Sequence, residues 1–121
     1  MSLLCVEDNA IARDILRTVL NSRYRNLVVH TAHKAEEGLE LFRKHQHSIV
    51  ITDISLSGAD GVWLAESVRA EAPETVIIFI TGGSDIEGLT SCQEADSCHI
   101  LNKPLDIKVL FGVLDQYIDG Q

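Results

Sequence analysis

Five short apolar runs alternate along the chain with stretches whose apolar residues recur every three or four positions. Residues 2–6 form the first run, and Ile11, Ala12, Ile15, Leu16, Val19 and Leu20 then repeat at helical spacing. Asn9 stands where an N-cap would offer a side-chain oxygen to the free amides of a first turn. A β-branched run follows at 27–31, and Ala35, Gly38, Leu39 and Phe42 mark a second helical stripe. The run 48–53 is almost wholly apolar and stops at a charge, followed by a polar, glycine-bearing segment over 55–61. A third stripe is read from Val62, Ala65, Val68, Arg69 and Ala72, with Pro73 ending the helix. Trp63 and Leu64 fall off that stripe, Trp63 as a residue partly packed against a neighbouring helix or open to a contact. Residues 75–80 read as the clearest buried strand, broken by Gly82 and Gly83. Residues 85–95 carry only Ile86, Leu89 and Cys92 at helical spacing, and Gly88 lowers propensity by about 1 kcal/mol relative to alanine, so a short fourth helix is expected there. A fifth strand over 98–101 precedes a firm fifth helix on Leu110, Val113, Leu114, Tyr117 and Ile118.

Central strands that are apolar throughout need helices on both faces, which is the habit of a parallel sheet. With right-handed crossovers, the expected fold class is α/β: a doubly wound, five-stranded parallel sheet of order 2-1-3-4-5 with five helices, flavodoxin-like. The 121 residues fit one domain, 1–121, with no repeat, linker or low-complexity segment.

Charge changes the picture more than composition does. The formal net charge is −8, which repels phosphate backbones, so no direct binding of nucleic acid is expected. No apolar run reaches the roughly 18 residues of a membrane span, and no secretory segment opens the chain, so a cytoplasmic location off the membrane is expected. Cys5, Cys92 and Cys98 form no CxxC pattern and are odd in number, and are read as three reduced thiols.

In such a sheet, ligands bind beyond the carboxyl ends of the strands. Those ends carry Glu7 and Asp8 after strand one, Asp53 at the end of strand three, Thr81 after strand four, and Asn102, Lys103 and Pro104 after strand five. Strand two ends quietly in His30 and Thr31. Singly, each residue reads as a turn former, cap or solvated charge. Together, three carboxylates store like-charge repulsion that a hard divalent cation relieves, and Mg²⁺ takes carboxylates plus phosphate oxygens. A lysine and a hydroxyl complete a set suited to a phosphoryl group in transfer.

Val6-Glu7-Asp8, Asp53 with Asp60-Gly61, Thr81, and Lys103-Pro104, in this order and spacing, resemble the receiver domain of two-component response regulators over essentially the whole chain. The resemblance implies that Asp53 takes a phosphoryl group from a phosphohistidine. It implies Mg²⁺ held by Asp8, Asp53 and the backbone carbonyl of Ser55, with Glu7 acting mostly through water. It implies that Lys103 pairs with Asp53 and then with phosphoryl oxygens, that Thr81 bonds the phosphoryl group, and that Lys103-Pro104 is cis. The implied partners are a sensor histidine kinase or histidine phosphotransfer domain, and a downstream protein or second copy at the face of helix four, strand five and helix five. Such a domain is regulatory and not an enzyme, although it assists its own phosphorylation and dephosphorylation.

Three positions depart from the family pattern. Ser57 replaces a proline, Ile100 replaces the aromatic ring three residues before the lysine, and Gly82-Gly83 follow the threonine. Ile100 puts the usual aromatic readout in doubt and keeps open a pseudo-receiver that works by contact alone. An aspartate-nucleophile phosphatase of the dehalogenase-like type needs a second aspartate where Ser55 stands, and a cap domain. His30 with His33, and His45 with His47, lack a third ligand at suitable spacing and are read as solvated. The chain does not name its kinase, signal or output, and its ends suit a piece of a longer regulator as well as a stand-alone domain.

Overall fold

Strands 49–53 and 76–81 present no exposed position in the structure, a computed structural model that describes residues 1–56, 58–82 and 97–118. A strand buried on both faces must be covered on both, and helices do this. The chain runs β1 (Ser2–Val6), α1 (Ala10–Arg23), β2 (Val28–Ala32), α2 (Ala35–His45), β3 (Ile49–Asp53), α3 (Gly61–Glu71), β4 (Val76–Thr81), β5 (Cys98–Asn102) and α4 (Ile107–Leu114). All pairings are parallel, in the order β2-β1-β3-β4-β5, so the expected doubly wound fold class is the observed one. The helix expected over 85–95 lies outside the described residues, so α4 is the fifth helical segment read from the sequence.

Alternation along the strands divides the core. Leu3, Cys5, Ile49, Ile51, Ile78 and Ile80 face α1 and α4, where Leu16, Leu20, Leu110 and Leu114 meet them. Leu4, Val6, Val50, Ile77 and Phe79 face α2 and α3, against Leu39, Phe42, Leu64 and Val68. Burial of these aliphatic faces is the dominant favourable contribution to the fold. At the far ends of α1 and α4, Arg23 bonds Asp115 at 2.7 Å and lies 4.5 Å from the centre of the Phe111 ring, which ties the two helices together.

Several expectations are corrected. Leu64 is fully buried, because α3 starts at Gly61 and its seam runs through 61, 64, 65 and 68, one position off the stripe read from Val62. Of the six α1 positions, Leu16 and Leu20 are buried, whereas Ile11 and Ile15 are 74% and 53% exposed. Six apolar positions made too wide a stripe for one seam. Cys98 is disulfide-bonded, not reduced; an odd count excludes full pairing but not a single bridge. Cys5 is free and buried, its thiol pushed up to about 12 by desolvation.

The histidines also differ from their reading. His30, His45 and His47 come together, with His30 Nδ1 and His47 Nε2 at 2.8 Å and the His30 and His45 rings stacked at 4.1 Å. His47 is buried, not solvated, while His33 pairs with Glu37. The packing of β2 beside the end of α2 unites residues that sequence spacing separates. Among the described residues, no helix is long and apolar enough to cross a membrane.

Candidate functional site

The register sets the height of the site. Val6 pairs with Ala32 on one side and Thr52 on the other, so Glu7 and Asp53 both emerge where the strands end. Asp53 in turn pairs with Ile80, one residue before Thr81, and Thr81 pairs with Asn102. Thr81 closes β4 instead of following it and is buried; its carbonyl accepts the Lys103 amide at 2.8 Å. The sheet therefore brings Glu7, Asp8, Asp53, Thr81 and Lys103 to one edge. Ser55 lies exposed just past β3, at the start of the turn that Gly61 closes onto the Ile54 carbonyl at 2.9 Å.

Each chemical group has a local reason for its position. Glu7 is buried, its amide bonded to the Ala32 carbonyl at 3.0 Å and its carboxylate accepting the Asn9 amide at 3.1 Å. Asn9 caps α1 as expected, its Oδ1 accepting the Ala12 amide at 2.9 Å. Asp60 caps α3 in the same way through the Trp63 amide. Lys103 follows β5 and precedes a cis peptide bond to Pro104. Its Nζ lies 2.6 Å from Asp53 Oδ2.

The electrostatics follow from crowding of like charges. One carboxylate oxygen from each of Glu7, Asp8 and Asp53 lies within 4.8 Å of the others. Burial pushes the Glu7 carboxyl up, the Asn9 amide opposes this, and the Asp53 charge adds to it. The bond it donates to Asp53 holds the Lys103 ammonium above its ordinary value, with the charges of Glu7 and Asp8 adding in the same sense. Among the described residues, three hard oxygen donors face the Lys103 ammonium, an excess of negative charge that suits Mg²⁺. Among the described residues this is the one group of three or more such side chains close enough to hold an ion.

A groove of about 670 Å³ opens from the acids along α1. Asp8 and Asp53 stand at one end of it, and Ile11, Ile15, Pro104 and Ile107 line its apolar part. The sequence places Ile11 and Ile15 on the helical stripe of α1 and does not single them out as this wall. The available signal was their i, i+4 spacing, separate from the Leu16–Leu20 pair. At the position where the family carries an aromatic ring, Ile100 is half-buried against the cluster of Phe79, and neighbouring His99 faces the other way, 2.6 Å from the Tyr117 hydroxyl. Ser57, Gly83 and the residues to 96 lie outside the described residues.

Comparison with known proteins gives the family and the fold. The chain is 25% identical over 116 residues to a probable C4-dicarboxylate response regulator, DctR, of Priestia megaterium, covering 96% of this chain and 51% of that protein. The chain thus spans about half the length of that relative. A putative response regulator from Chloroflexus aurantiacus superposes with a TM-score of 0.80 at 27% identity, covering 95% of this chain and 94% of that one. A CheY-like receiver domain protein from Methanospirillum hungatei gives a TM-score of 0.86 at 23% identity, over 98% and 93%, a likeness of fold. The model of the response regulator receiver domain matches residues 3–115, and the chain belongs to that family, the switch domains of two-component signalling.

Proposed function

We propose that Asp53 is the phosphoryl acceptor of this switch and that the donor is a phosphohistidine on a sensor kinase or phosphotransfer domain. The observation that carries the reading is the convergence of Glu7, Asp8 and Asp53 within 4.8 Å, with Lys103 Nζ 2.6 Å from the Asp53 carboxylate. In the transfer, an Asp53 oxygen forms the new bond to phosphorus as the donor's P–N bond breaks, and the departing imidazole nitrogen takes up a proton. Asp8 and Asp53, the Ser55 carbonyl and, through water, Glu7 would hold Mg²⁺, which supplies positive charge to the phosphoryl oxygens when bound. Lys103 offers a second positive charge and Thr81 a neutral donor.

The groove supports a place for the donor along α1. A protein bringing a phosphohistidine to Asp53 covers the exposed Ile11 and Ile15, which gain from leaving water. The modified domain would then alter its contacts with a downstream protein or a second copy near β5 and α4. Ile100 makes that step unlike one that swings a ring. An interaction-only pseudo-receiver is not favoured, since the acceptor, acid pair and lysine are all in register. The acidic chain itself is not expected to touch nucleic acid. A cytoplasmic location is supported by the two-component resemblance.

The test is Mg²⁺-dependent labelling by acetyl phosphate, read as intact mass. A gain of one phosphoryl group that disappears with chelator supports the reading. A folded protein that gains none favours the interaction-only alternative, and repeated turnover of an added phosphomonoester favours a phosphatase.

A further inference from the structure

Glu7 is anchored at its amide, its carboxylate and its carbonyl, and the carbonyl is held by a side chain that reaches back from α1. Its amide bonds Ala32 and its carboxylate accepts the Asn9 amide. Its carbonyl accepts Arg13 Nη1 at 2.9 Å. Arg13 sits one turn into α1, and its own amide bonds the Asn9 carbonyl at 2.9 Å. A single residue therefore closes the first ring of the helix with its backbone and grips the preceding loop with its side chain.

The Glu7 carbonyl belongs to the peptide plane that joins Glu7 to Asp8. A peptide unit is rigid, so fixing its oxygen fixes the Asp8 nitrogen and Cα, and with them the N–Cα axis about which the Asp8 side chain is carried. Asp8 is exposed, so the backbone that carries it matters more to its aim than burial does. We infer that Arg13 is a positioning residue for the cation site: its bond to the Glu7 carbonyl holds the Glu7–Asp8 peptide in the orientation that aims the Asp8 carboxylate at Asp53. The inference rests on the metal-assisted reading of the preceding subsection and adds to it a residue that touches neither ion nor phosphoryl group. Partners that orient metal ligands from behind change affinity by about 10- to 100-fold when removed.

The test is Mg²⁺ titration by calorimetry on wild type, Arg13→Met and Arg13→Lys, well below each protein's melting temperature. Arg13→Met keeps the aliphatic stem and removes the donor, and should weaken Mg²⁺ by about 10-fold. Arg13→Lys keeps a donor and should recover most of that loss. Arg13→Gln, whose head is too short for the carbonyl, replaces the methionine variant if that one does not fold, with the same expected loss. A merely structural role would lower melting temperature and leave Mg²⁺ affinity unmoved. Affinity equal to wild type in a folded donor-less variant, or a lysine variant as weak as it, overturns the inference. A wild-type protein that binds no Mg²⁺ overturns the underlying reading and the inference with it, a result distinct from failure of Arg13 alone.

Discussion

The carbonyl oxygen of Asp53 occupies the space that a Cβ on Gly61 would need. The turn from β3 to α3 thus closes against the backbone of the proposed acceptor, and the Gly61 amide bonds the Ile54 carbonyl at 2.9 Å. Gly61→Ala should force the two backbones apart, destabilising by about 2–3 kcal/mol, and should slow acetyl phosphate labelling even where the protein folds. Chemical denaturation together with a labelling time course checks both effects; unaltered stability would contradict the contact.

Among the described residues, Lys103 is the cation bonded to a carboxylate of the acidic group, through Asp53 Oδ2. Lys103→Ala should leave Mg²⁺ binding intact or tighter, because a competitor for Asp53 is removed. Labelling should fall by about 10²- to 10³-fold, the range found when one fixed charge or donor is taken from a transition state. Parallel calorimetry and labelling rates separate the two expectations.

Mg²⁺ should stabilise the fold by mass action, by about 2.7 kcal/mol at 100 times its dissociation constant. Asp8→Asn should abolish most of that gain and, by reducing like-charge crowding, raise stability without Mg²⁺. Melting curves with and without the ion read this directly.

His47 predicts a pH dependence at the other end of α2. It shares one proton with His30 across 2.8 Å, and its buried Nδ1 has no hydrogen-bond partner among the described residues. The arrangement with the least cost has His47 donating from Nε2, which leaves Nδ1 a bare lone pair and not an unpaired N–H. Protonation would create that buried N–H, and burial with two neighbouring imidazoles pushes His47 down to about 4 from an ordinary 6.5. A depressed value means that the unfolded chain binds the proton first. Stability is therefore full above about 6.5 and is lost as pH falls toward about 4, by the order of 1–3 kcal/mol. His47→Phe should flatten the stability profile in that window, which denaturant titration at successive pH values measures.

The strands, their order and the residues at their ends were legible because an apolar run that stops at a charge is a local signal. Asn9 as a cap and the α2 seam through Ala35, Gly38, Leu39 and Phe42 were legible for the same reason. What escaped was set by contacts between distant segments. The burial of Leu64 depends on the residue at which α3 starts, and the exposure of Ile11 and Ile15 on which part of a wide stripe meets the sheet. The histidine trio needs β2 beside the end of α2, and the Arg13–Glu7 bond needs a side chain to reach back over a turn. Composition and spacing hold none of these.

The central claim is that the phosphoryl group sits on Asp53 itself. Borohydride reduces an acyl phosphate to the alcohol, so a labelled aspartate is recovered as homoserine. After treatment with acetyl phosphate and Mg²⁺ followed by borohydride, peptide mass mapping should find homoserine at position 53 alone, and none after chelation or in Asp53→Asn. Homoserine at Asp8 or another carboxylate, or an unmodified Asp53 in a folded and phosphorylated protein, would contradict the account.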